Sequence, residues 1–233
     1  MTKDTETTPT VTRRHVLLGT AALVAIIAAG GAGYDLWGPT DTAAAQTSPA
    51  GEVPMADLLV PGPLGDEVQG QADAPVTIVE YASMTCPHCS HFHETTYPEL
   101  KKKYIDTGKV RFIFREFPLD QLAAGAAMLA RCAGKDKYFP LIDAFFSQQK
   151  EWVVPKPLQP MLAIAKQAGF TEQSFNECLA NQQILDGLKE TQSRAAQKFN
   201  VNSTPTFFIN GKMFRGALTP EELDKQVAPY LKG

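Results

Sequence analysis

Hydrophobic positions along the chain change period several times. Val76-Thr77-Ile78-Val79-Glu80-Tyr81 is a β-branched apolar run that predicts a buried strand. Val110 to Phe117 alternates in part, is stopped by Pro118, and predicts a second strand. Between them, Cys89 to Tyr104 has a helical pattern with a break or bend expected near Pro98. Strand, helix and parallel strand make a right-handed βαβ unit. From Leu119 to Asn200 the chain is rich in Ala, Gln and Leu. Helices are expected over Gln121 to Gly134, Lys137 to Gln149, Pro157 to Gly169 and Thr171 to Phe199, the last dividing near Asn181. Thr206 to Ile209 then reads as a strand, Asn210-Gly211 as a hairpin turn, and Lys212 to Arg215 as the returning strand. Thr219 caps a final helix with Pro220 at its first position. The order is β-α-β, a helical block, then β-β-α.

The ends of this pattern carry different signals. Arg13-Arg14 precede an apolar stretch from Val16 to Gly33, and Ala43-Ala44-Ala45 offers a cleavage site before Gln46. Residues 1–45 therefore read as a signal peptide, and Thr12 to Leu18 resembles a twin-arginine export signal. A general secretion signal and an uncleaved anchor are the alternatives. The apolar stretch, about 18 residues, sits near the lower bound for spanning a bilayer. Each reading puts the folded part outside the cytoplasm, in the periplasm. Residues 46–65, with Pro49, Pro54, Pro61 and Pro63, read as a linker with room for one short element near Met55 to Val60. No long amphipathic segment offers a dimerisation stalk, so a monomer is expected.

Composition narrows the partners. The chain has 233 residues, 44% of them hydrophobic and 20% charged, as in an ordinary globular protein. A net charge of -3 leaves no electrostatic footprint for nucleic acid. The basic run Lys101-Lys102-Lys103 falls where a helix should end, where it complements the helix dipole.

The chemistry concentrates at Cys86-Pro87-His88-Cys89, at the junction between the first strand and its helix. Unpaired N–H groups at a helix N-terminus favour negative charge, and the thiolate is the reactive form of cysteine. Cys86 is the expected nucleophile and Cys89, one turn later, the more buried resolving thiol. Pro87 suits a first helical position, and His88 is placed to offer a donor or positive charge to Cys86. A permanent disulfide is the plain alternative, but so short a loop stabilises little. Cys86, Cys89 and His93 also fall on a C-x2-C-x3-H pattern that suits zinc or copper, although no fourth ligand is evident nearby. Cys132 and Cys178 lie in the helical block, and in an exported chain such a remainder usually pairs; two buried free thiols are the alternative.

Cys86-Pro87-His88-Cys89, the helical insertion, and Thr204-Pro205 before a late strand and hairpin together resemble the DsbA family of thiol–disulfide oxidoreductases, over roughly Asp66 to Lys232. The resemblance implies an α/β thioredoxin fold with an inserted helical domain. Residues 66–118 and 200–233 would form the thioredoxin-like domain and 119–199 the insertion. It implies that Pro205 is cis and faces the cysteine pair, and that Thr204 and Pro205 bind an extended substrate. It implies that Glu80, beneath the site, assists proton transfer; Arg115, late on the next strand, is the expected charge partner of a carboxylate costly to bury unpaired, and a purely structural ion pair is the alternative. The Pro-His dipeptide goes with a strongly oxidising pair. Some alphaproteobacterial relatives carry a second cysteine pair in that domain, as Cys132 and Cys178 would be here. The activity implied is introduction of disulfides into cysteine-containing exported polypeptides, with re-oxidation by a membrane partner and without metal or organic cofactor. Thr204 departs from the Val expected in enterobacterial oxidases and matches isomerase-type relatives, so a disulfide isomerase or reductase is the rival reading. A metal-binding carrier is a further alternative.

Overall fold

The computed structural model describes residues 50–231. The expected signal peptide, residues 1–45, lies outside them. Six strands form one sheet: β1 (Gly51–Glu52), β2 (Glu67–Gln69), β3 (Val76–Ala82), β4 (Val110–Glu116), β5 (Thr206–Ile209) and β6 (Lys212–Arg215), in the order β1-β6-β5-β3-β4-β2. Only β3 and β4 run parallel; β5 pairs antiparallel with β3 on its other side. That central position explains the apolar run, because all seven residues of β3 are buried. The β5–β6 hairpin turns on Asn210 and Gly211, with φ of 44° and 90°, as a two-residue turn requires.

Among the described residues ten α-helices accompany the sheet: α1 (Met55–Leu58), α2 (Pro87–Thr95), α3 (Tyr97–Leu100), α4 (Gln121–Cys132), α5 (Lys135–Ser147), α6 (Gln149–Trp152), α7 (Leu158–Gln167), α8 (Glu172–Leu179), α9 (Gln182–Phe199) and α10 (Pro220–Val227). The helix expected over Cys89 to Tyr104 is in fact α2, α3 and a π-turn over Lys101–Ile105, with the break at Thr96, two residues before Pro98. The division near Asn181 falls where its side chain accepts the Ile184 N–H and caps α9.

Strand alternation splits the interior. Ile78, Phe112 and Phe114 face a large core shared with α2, α4 and α5, whereas Val79, Tyr81 and Ile113 face a smaller one with Phe199 and Phe208. The inserted helices α4 to α9 thus lie between β4 and β5 in sequence, and most of their buried residues share one hydrophobic cluster with the sheet. Arg131 of α4 clamps them to it, bonding both Glu116 oxygens at 2.5 and 2.7 Å and Glu67 at 3.0 Å. Cys132 and Cys178 form a disulfide from the end of α4 to α8, with Cα atoms 6.2 Å apart. Closing a loop of 46 positions restricts the unfolded chain by about 4 kcal/mol in the entropy model.

Residues 50–65 of the segment read as a linker take a defined place in the fold. β1 pairs with β6, Leu58 is fully buried, and Arg194 donates to the carbonyls of Asp57, Val60 and Pro61. Its partners lie more than 130 positions away, so the local Pro-rich composition carried no sign of them.

Candidate active site

β3 delivers the chain to Ser83-Met84-Thr85, and Cys86 follows as the extended N-cap of α2 with Pro87 at the first helical position. The fold fixes this loop from two sides. Thr85 donates to Asp120, the N-cap of α4, at 2.7 Å. Gln149 of α6, buried, donates to the carbonyls of Met84 at 2.8 Å and Cys86 at 3.1 Å. Sequence reasoning missed Gln149. A lone glutamine 63 positions from Cys86 has no local signature.

Cys86 and Cys89 are both free thiols here. Cys86 is 6% exposed and Cys89 fully buried. Their acidities are driven apart. The Cys89 thiol, as donor, lowers the Cys86 pKa to about 5 against the opposing effect of burial, aided by the Thr204 side chain and the N–H groups of Cys89 and His88. Burial pushes the Cys89 thiol well up, and the neighbouring Cys86 and Glu80 push it further. His88 acts through its backbone; its side chain is exposed.

The Thr204–Pro205 bond is cis, and the protonated Cys86 thiol donates to the Thr204 carbonyl at 3.2 Å. The Thr204 hydroxyl is buried without a hydrogen-bond partner, and the Thr204 side chain is among the groups that hold the Cys86 pKa down. Thr204→Val removes this donor and is expected to raise the Cys86 pKa by about one unit, as loss of a hydrogen bond to a charged group costs roughly 1.5–3 kcal/mol in full and less when other donors remain. Thiolate absorbance followed against pH measures the shift. An unchanged midpoint removes the hydroxyl from the account.

The pairing expected between Glu80 and Arg115 is not formed. Arg115 stands opposite Tyr81 in the parallel register, whereas Glu80 stands opposite Phe114. The two therefore point to opposite faces of the sheet. Arg115 instead bonds Asp66 at 2.8 and 2.9 Å and the Tyr81 hydroxyl at 2.8 Å. Arg115→Met is expected to destabilise the fold by about 3 kcal/mol, because a nearly buried Asp66 loses its partner, while the Cys86 titration stays in place. Urea unfolding and the thiolate titration together check both halves.

The partner of Glu80 is His93. Its Nε2 lies 2.9 Å from Glu80 Oε2. The imidazole stacks on Phe146 at 4.4 Å and is enclosed by Tyr97 and Phe114. The C-x2-C-x3-H pattern therefore does not converge on a metal, and among the described residues no group of three or more His, Cys, Asp or Glu side chains is placed to hold one.

A dithiol at a strand-to-helix junction, facing a cis-proline loop on a mixed sheet, defines a redox-type thioredoxin fold. A family model described as thioredoxin matches residues 64–228, and the chain belongs to that family, within its DsbA branch. The crystal structure of Wolbachia pipientis alpha-DsbA1 is 34% identical, with a TM-score of 0.69 over 75% of this chain and 96% of that one. Oxidised BdbD from Bacillus subtilis, at 22% identity and a TM-score of 0.65 over 81% and 100% of the two chains, shares the fold. A Rickettsia bellii protein named for protein-disulfide oxidoreductase activity is 37% identical over 148 residues, 63% of this chain. The match spans 57% of that relative's length.

Proposed function

We propose that the protein is an exported thiol–disulfide oxidase acting on cysteine-containing polypeptides. The reading rests on the opposed acidities of Cys86 and Cys89. A substrate thiolate attacks the Cys86 sulfur of the oxidised pair. The Cys86–Cys89 bond breaks, and its electron pair leaves on Cys89. A second substrate thiolate then attacks the substrate sulfur of the mixed disulfide, and Cys86 departs as thiolate. The substrate has lost two electrons and the protein has gained them. A low-pKa sulfur is the better leaving group, so this order of events favours oxidised substrate. Thr204 and Pro205 stand beside Cys86, where an extended substrate backbone would lie. A membrane redox partner re-oxidises the pair. The N-terminal Arg13-Arg14 and apolar stretch support export to the periplasm.

A thiolate-stabilised reduced form makes the disulfide a strong oxidant. The deciding experiment is the equilibrium reduction potential of the Cys86–Cys89 pair in glutathione buffers, with Cys132 and Cys178 both replaced by Ala. The expected potential lies well above the glutathione couple. A low, thioredoxin-like potential sinks the oxidase reading and favours the isomerase or reductase that Thr204 suggests.

A further inference from the structure

The buried imidazole of His93 reaches beyond Glu80. Glu80 is fully buried on β3; its Oε2 meets His93, while Oε1 has no partner. The carboxylate is close enough to Cys89 to raise that thiol. On the far side of the ring, Nδ1 has no hydrogen bond and lies 3.8 Å from Asp143 Oδ1 of α5. The His93 side chain is 1% exposed and that of Asp143 52% exposed. A cleft of about 350 Å³ opens there, lined by His93, Tyr97, Lys101, Asp143 and Ser147. The polar groups around the ring are Glu80 from β3, Asp143 from α5, Tyr97 from α3, Glu94 on its own helix, and Lys101 at the cleft rim; β4 offers only Phe114.

We propose that His93, held by Asp143, is the proton store that serves Cys89 through Glu80 in each redox half-cycle. The inference rests on the thiol-exchange reading above. When an incoming thiolate breaks the Cys86–Cys89 bond, an electron pair is left on a sulfur that burial forbids to stay charged. The Nε2 proton of the His93 imidazolium passes to the Glu80 carboxylate, and the carboxyl group delivers a proton to Cys89. His93 is then refilled by a proton from solvent at the cleft beside Asp143. Re-oxidation reverses the path: the ring sheds a proton at the cleft, and Cys89 passes its own through Glu80 to Nε2 as its sulfur forms the disulfide. Each half-cycle moves one proton and one sulfur bond across the apolar site. Burial alone would discharge the imidazole, but Glu80 and Asp143 outweigh it and raise its pKa to about 9 in this dithiol form, so the ring is charged at neutral pH.

The test is single-turnover reduction of the oxidised protein by a fixed concentration of dithiothreitol, quenched in acid and read by thiol tagging and mass spectrometry from pH 6 to 10. His93→Gly is expected to slow the step at least about tenfold at pH 7, less than the roughly 10²–10⁴-fold of a fully lost proton transfer because water keeps a slower path. Added imidazole, which the enlarged cleft admits, is expected to restore most of the rate. Asp143→Asn, exposed and safe for folding, is expected to shift the alkaline fall of the rate down by about one unit, at the low end for loss of a nearby opposite charge. A purely structural role for His93 predicts no imidazole rescue and an unmoved pH profile, and that result overturns the proposal. If His93→Gly does not fold, Asp143→Asn alone decides. A wild-type protein that fails to exchange overturns the oxidase reading instead.

Discussion

Cys89→Ser is expected to trap Cys86 as a persistent mixed disulfide with glutathione or a substrate peptide, and to drop dithiol oxidation to the uncatalysed background. Cys86→Ser is expected to lose both capture and turnover. Serine at position 89 keeps an O–H donor toward Cys86, whereas alanine would remove the largest influence lowering its pKa. The magnitudes show what the low pKa accomplishes. At pH 7 a thiol of pKa about 5 is almost wholly ionised, roughly a hundredfold gain over an ordinary thiol. Nucleophilicity falls with basicity at a Brønsted slope of about 0.4–0.5, which over this shift loses roughly 40- to 100-fold. The two nearly cancel, so Cys86 gains little as an attacker. It gains as a leaving group, which is what an oxidase needs. Mass spectrometry of the acid-quenched variants separates the outcomes. Turnover retained in Cys89→Ser would contradict the two-cysteine mechanism.

The stabilities of the oxidised and reduced proteins are expected to cross as pH changes. Cys86 ionises near 5 when folded and near 9.0 in its ordinary state. Between those values the folded reduced protein binds fewer protons than the unfolded chain. Its stability therefore rises with pH by about 1.4 kcal/mol per unit, is complete above 9, and is lost as pH falls through 5. Cys89, pushed up, stays protonated in both states over this window and adds no slope. His93, raised to about 9, contributes the opposite slope above its ordinary value, but it does so in both redox forms and drops out of their difference. Against the thiolate stands the disulfide's restriction of the unfolded chain, roughly 2 kcal/mol for so short a loop. The oxidised form is expected to be the more stable by about 2 kcal/mol at pH 4.5, and the reduced form by about 2 kcal/mol at pH 8. Paired urea unfolding curves, with Cys132–Cys178 intact in both forms, measure the gap. A gap that does not change with pH would remove the thiolate as the source of the redox bias.

The central elements were legible because their patterns are local. β3 and β4 are long, apolar and β-branched, and the Asn210-Gly211 turn announces its hairpin. β1 and β2, of two and three residues, are too short to show alternation and exist only because β6 and β4 lie beside them. The Cys86–Cys89 pair, one turn apart across a Pro N1, is likewise local chemistry. Glu80 was identifiable as an acid near the site, yet its partner was misjudged. The register of β3 against β4 decides which side chains share a face, and a parallel register is set by packing. Spacing associated His93 with the cysteines, whereas the rotation of α2 turned it onto Glu80.

By itself the sequence determined the order of the long elements, the dithiol at a helix start, and the cysteines available for a second bridge, since each follows from periodicity, capping or residue count within a few turns. Only the tertiary structure decided that Gln149 holds the active-site loop, that Arg115 serves Asp66, that the Pro-rich segment closes the sheet edge, and that His93 and Asp143 back Glu80. Those contacts join residues from 13 to more than 130 positions apart, and they form because apolar burial brings distant faces together and leaves each buried polar group to find its partner there.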